Sequence, residues 1–135
     1  MSEPVVIRSN RDDGGELRLS PLDRYTILAE FTGPVVNASV RVAALSSSDL
    51  LPYFDDLARH WDGWKGAKTW ESLEGQMKLE CTRDALGHLF LRVTLRDSLG
   101  GAEWLAGGII QLAAGELEQL AKSARRVFAA QAHAV

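Results

Sequence analysis

The residues best suited to chemistry gather in one stretch, His60-Trp61-Asp62-Gly63-Trp64-Lys65-Gly66-Ala67-Lys68-Thr69-Trp70-Glu71, which holds three of the four tryptophans. Tryptophan combines a large apolar surface with a single donor, so such a cluster either seals the end of a core or stacks on a ligand. Core closure is the simpler reading for Trp61, which continues an apolar helical stripe. Trp64 and Trp70 stand among glycines and charges, where large apolar groups need a pocket or a partner. Trp61, Trp64, Lys65, Lys68 and Trp70 are therefore the candidate binding residues of this stretch.

Other chemistries are weaker here. Gly63-x-x-Gly66-x-Lys68-Thr69 is not a phosphate loop, because that motif spaces its glycines five apart, puts lysine directly after the second and opens a helix. Asp56 and His60 lie one helical turn apart with Asp62 nearby, but they lack the companion ligands of a metal centre and read as a solvated polar face. Glu71 and Glu74 differ in parity and would face opposite sides of a strand, so they do not form an acid and base pair. Cys81 shares its parity with Met77 and Leu79, which implies burial and inertness. No serine sits in a nucleophile-elbow pattern. The sequence thus points to no catalytic residue, no metal and no cofactor.

The elements that must position these residues follow from periodicity. Val5-Val6-Ile7, Glu16–Ser20, Arg24–Phe31 and Val35–Leu45 alternate apolar and polar residues, as half-buried strands do. Pro21 is expected to end the second of them. Leu50, Phe54, Leu57, Ala58 and Trp61 then recur at helical spacing, with a serine of Ser46-Ser47-Ser48 as cap, Pro52 in the first turn and Gly63 as terminator. Leu73–Cys81, Leu89–Leu95 and Trp104–Leu112 read as three further strands, with turns at Asp84–Gly87 and Asp97–Gly101. Gly107-Gly108 marks a bulge. A closing helix carries Leu117, Leu120, Ala121, Ala124 and Phe128, and the tail past Gln131 is expected to fray.

The expected fold is α+β: one domain over 1–135, a mostly antiparallel sheet of about seven strands in the order ββββαβββα, and two helices packed on one face. The two halves share no residue pattern beyond periodicity, so no repeat is assigned. The outward parity of such a sheet collects Arg18, Arg24, Arg41, Lys78, Arg92 and Arg96 against Glu16, Glu30 and Glu80. Of these, Arg41, Arg92 and Arg96 are taken as candidate docking residues for an acidic partner.

Composition sets the outer limits. A chain of 135 residues with 46% hydrophobic and 24% charged residues can bury one core without staples. A net charge of −3 offers no global attraction to nucleic acid or anionic lipid. A single cysteine, the absence of a signal-like start and an apolar tract, Trp104–Gly115, too short to span a bilayer predict a cytoplasmic protein without membrane segments.

The W-D-G-W-K-G-A-K-T-W-E-S-L-E-G run, the strand after it, the Gly87-His88 hairpin with Leu89–Arg96 and the terminal Gly115-Glu116-Leu117-Glu118 helix resemble a family of short, mainly actinobacterial proteins catalogued as a domain of unknown function. The resemblance spans nearly the whole chain, implies a shared fold and brings no catalytic residues with it. The functional expectation is a small non-catalytic module that binds another protein through the wet sheet face or the tryptophan loop, an immunity or antidote protein being one form. The alternative is a small-molecule binder or enzyme with a pocket lined by Trp61, Trp64, Trp70 and Trp104, and homodimerisation through an edge strand or the tryptophan loop is a third option.

Overall fold

The computed structural model describes residues 3–44, 49–97 and 104–132. Eight strands form two separate four-stranded antiparallel meanders, each followed by a helix. The first sheet contains β1 (Val5–Arg8), β2 (Glu16–Asp23), β3 (Thr26–Thr32) and β4 (Asn37–Ala43), paired in chain order. Helix α1 (Leu51–Arg59) leads to the second sheet of β5 (Lys68–Glu71), β6 (Met77–Arg83), β7 (His88–Arg96) and β8 (Leu105–Ala113), again paired in chain order. A single 3-10 turn, Ala114–Glu116, opens into α2 (Leu117–Ala132).

The α+β class and the antiparallel pairing agree with the sequence reading, whereas the single seven-stranded sheet does not. A flat sheet of eight strands would be about 34 Å wide, and two helices of about 10 Å diameter cannot roof it. The apolar faces therefore cover each other as well as the helices. Val5, Ile7, Leu17, Leu19, Ile27, Ala29, Phe31 and Val42 of the first sheet share one core with Met77, Leu79, Cys81, Leu89, Leu91, Val93, Leu95, Ile110 and Leu112 of the second. The helices pack against each other, α2 also against β1 and β2, and α1 beside β5.

Phe31 joins the two halves. Its ring reaches from β3 to Gly15 and to Gly108 of β8, where an added Cβ would stand only 2.8 Å from Cζ. Glycine at these positions lets an aromatic ring pack directly on two backbones. Gly107, at φ 157°, bends β8 so that a Cβ there would run into the carbonyl of Val93. The expected bulge site is thus a close approach of β8 to β7.

Four local expectations are corrected. The strand expected over Leu73–Cys81 begins only at Met77, as β6, and an unexpected strand, β5, precedes it across a tight turn in which Gly75 N–H donates to Ser72 O and Gly75 takes φ 79°. Buried Ser72 locks that turn by accepting from Met77 N–H through Oγ and donating to Gln76 Oε1, and Leu73 sits exposed at its tip. Pro21 lies inside β2 rather than ending it; β1 pairs only up to Val5 with Leu19, so the missing donor faces a side without a partner strand. The N-cap of α1 is Leu50, with no side-chain cap; Ser46–Ser48 lie outside the described residues, as does the turn expected over 98–101. Finally, α1 ends at Arg59, before Trp61 and Gly63. No helix among the described residues is long and apolar enough to cross a membrane.

Candidate functional site

The tryptophan junction is tied together by its own polar groups. Lys68 Nζ stands 2.7 Å from Asp56 Oδ2 on α1 and 5.6 Å from the centroid of the Trp64 ring, and Tyr53 O–H donates to Lys68 O at 2.9 Å. Asp56 Oδ1 lies 3.1 Å from His60 Nδ1. The hydrogen bond from Lys68 holds the Asp56 carboxyl below the usual carboxylate range. Trp64 Nε1–H donates to Cys81 O at 3.3 Å, and Arg83 Nη1–H to Trp61 O at 2.9 Å. These contacts fasten α1, the connecting loop and β5 to the edge of the second sheet. Burial pushes the Tyr53 hydroxyl up and the Cys81 thiol up to about 12, so both stay protonated near neutrality. Among the described residues, no three His, Cys, Asp or Glu side chains group to hold a metal ion.

The five candidates of this stretch separate accordingly. Trp64 and Trp70 are half-buried against the core, and Lys68 is engaged with Asp56. Lys65 is exposed, and Trp61, expected on the buried helical stripe, is 61% exposed because the helix has already ended. The four tryptophans do not line one pocket. Trp64 bonds to Cys81, which faces Leu91, while Trp104 accepts from Asp97 N–H six residues further along the β7 side, a separation of about 20 Å.

The three arginines are exposed, as their parity requires, but they do not share a face. Arg41 stands on β4 of the first sheet; Arg92 and Arg96 stand on β7 of the second. The basic surface inferred for a single sheet is therefore divided. Arg92 faces Ile109 across the ladder and Arg96 faces Leu105, so these four side chains lie on one outer face. Leu105 is 71% and Ile109 43% exposed. A hollow of about 140 Å³ lined by Ala67, Glu80, Thr82, Phe90, Arg92 and Ile109 occupies this face. Ile109 also lines a second groove of about 170 Å³, whose wall includes Gly107, Gly108, Val35 and Val36. Val35, at the tip of the β3–β4 turn, is 93% exposed. Neither Arg92 nor Arg96 forms an ion pair among the described residues, whereas neighbouring Lys78 lies 3.5 Å from Glu80.

Sequence reasoning had Arg92 and Arg96 but missed Leu105, Ile109, Val35 and Val36. A signal was present: Leu105–Ala113 contains no charged residue, yet only alternate positions can face the core of a half-buried strand.

The family model of DUF6228, described as a family of unknown function, matches residues 9–131. The chain belongs to that family. The matched region includes the tryptophan junction, both sheets from β2 onward and nearly all of α2, so the surface on β7 and β8 is part of the family domain. No curated protein matches the chain.

Proposed function

We propose that this member of the family is a non-catalytic protein-binding module whose docking surface is the outer face of the second sheet around β7 and β8. The observation that supports it most is that exposed apolar Leu105 and Ile109 stand opposite exposed Arg96 and Arg92, which form no ion pair among the described residues. Arginine beside apolar side chains is the composition enriched at protein interfaces, where desolvation strengthens both. Among the described residues no helix covers this face; α2 lies on β1 and β2, and α1 beside β5. The polar groups of the tryptophan junction are by contrast satisfied within the fold, which supports a structural role for Lys68, Trp64 and Trp70.

The test is affinity capture from the native host with the wild-type chain and with Arg92→Glu/Arg96→Glu, followed by reconstitution of the captured protein with purified chain. The proposal expects a protein that binds the wild type directly and is lost by the variant while the variant melts normally. Equal capture by both chains would overturn it.

A further inference from the structure

The outer edge of β8 is open, and its own residues are the complement it requires. Antiparallel pairing sends the backbone groups of alternate residues to opposite sides of a strand. Asp97 N–H donates to Trp104 O, which assigns Trp104 and, by alternation, Ala106, Gly108, Ile110 and Leu112 to the β7 side. Leu105, Gly107, Ile109 and Gln111 then point their N–H and C=O groups away from β7. Gln111 confirms the assignment, since its carbonyl accepts from Asn10 N–H at 2.9 Å and its N–H donates to Ser9 Oγ at 3.2 Å. The groups of Leu105, Gly107 and Ile109 point the same way and meet no backbone partner among the described residues.

Open edges are normally guarded by charge, brevity or a covering element. The other edges are: β1 carries Arg8 and lies beside α2, β4 carries Arg41, and β5 is four residues long with Lys68 and Glu71. The edge of β8 has no such guard. Among the described residues, the groove beside it holds one charged group, Asp13, which is paired with Arg11 at 3.0 Å. No unpaired charge in the groove selects an ion, so the edge calls for a neutral, apolar strand. Among the described strands of this chain, β8 alone has no charged residue. We infer that two copies of the chain pair through β8, antiparallel about a two-fold axis at Gly107, and so join their second sheets into one continuous sheet. This pairing stands apart from the docking reading and leaves the outer face uncovered.

Self-complementarity fixes the register. The axis sets Gly107 against Gly107, where no side chain holds the backbones apart, and Leu105 of each copy against Ile109 of the other. Each facing pair exchanges both N–H···O bonds, and exposed Leu105 and Ile109 gain apolar neighbours. On the inward side the second copy brings only Ala106 and Gly108 toward the groove walled by Val35 and Val36, so no bulky side chain has to enter it. Across the seam one row runs Arg96, Leu105, Ile109, Arg92, and the arginines of the two copies stand three strand spacings, about 14 Å, apart, beyond a screening length of about 8 Å. The free run stops at Gln111, whose groups are taken by Ser9 and Asn10, so the contact is short and the dimer weak.

The experiment follows the full chain by sedimentation equilibrium from micromolar to millimolar concentration, with amide spectra of the labelled chain over the same range. The wild type is expected to pass from monomer to dimer, and the amides of Leu105, Gly107 and Ile109 to move more than those of Ala106, Gly108 and Ile110, whose N–H groups face β7. Leu105→Lys/Ile109→Lys sets lysine opposite lysine and should weaken the dimer at least tenfold; Leu105→Glu/Ile109→Glu should do the same. An equimolar mixture of the two variants should restore dimerisation, because each lysine then faces a glutamate. Both positions are exposed, and well-dispersed spectra show that the variants fold. A chain that stays monomeric at millimolar concentration, a dimer that the variants leave unchanged, a mixture no tighter than its components, or growth beyond the dimer would each overturn the inference. A monomer that still captures a host protein through Arg92 and Arg96 would remove the pairing and leave the docking face standing.

Discussion

The two halves of the molecule repeat one plan, a four-stranded meander followed by a helix, and differ in how their outer faces are finished. On the first sheet Arg8 and Glu16 meet at 2.8 Å, and Arg18 stands 3.6 Å from the same carboxylate. On the second, Arg92 and Arg96 form no ion pair among the described residues, and Leu105 and Ile109 lie open beside them. Cross-strand ion pairs at exposed positions contribute little to stability, so the difference is not a matter of holding the sheets together. It is a difference of degree, since Arg41 of the first sheet also forms no ion pair among the described residues and Lys78 of the second lies 3.5 Å from Glu80.

The comparison is broken most severely at the contact that joins the halves. Phe31→Ala removes a buried ring packed on Gly15 and Gly108 and should cost about 3–5 kcal/mol, seen as a large fall in the urea midpoint and loss of cooperativity between the sheets. Gly107→Val acts on the second sheet alone, driving a Cβ into the Val93 carbonyl, and should cost about 2 kcal/mol or more by the same measurement. A smaller effect is expected at the tryptophan junction. The Asp56 carboxyl is depressed by Lys68, so its contribution is present above the unfolded carboxylate value of about 3.9 and is lost as pH falls through the lower folded value. The pair is partly exposed, so Asp56→Asn should lower stability at pH 7 by no more than about 1 kcal/mol, and the two stability curves should converge as pH falls through the depressed folded value. Smallest of all in stability are Arg8→Ala and Arg92→Ala, each within about 0.5 kcal/mol of wild type in thermal melts, yet only Arg92→Ala should weaken the partner.

Much of this architecture was legible in the sequence. Strands with one wet face declare themselves by alternation, and every core position of β2, β3 and β7 could be read from parity. The division into two sheets could not, because parity says which side of a strand is apolar and nothing about which other strands cover it. Strand β5 escaped because a four-residue strand inside an aromatic loop has too few positions to show a period. Trp61 misled for the opposite reason: it keeps the helical spacing of Leu50, Phe54 and Leu57 beyond the point where the helix stops. Of the proposed docking surface, the cations were visible and the exposed apolar residues were not, since Leu105 and Ile109 look like core until the register places them opposite Arg96 and Arg92.

The most direct test of the account is amide hydrogen exchange, residue by residue, on the chain alone and in complex with the protein it captures. Slower exchange in the complex in β7 and β8, with β2 to β4 and the loop around Trp61 unchanged, is the predicted result. Protection confined to the first sheet or to the tryptophan loop would contradict it.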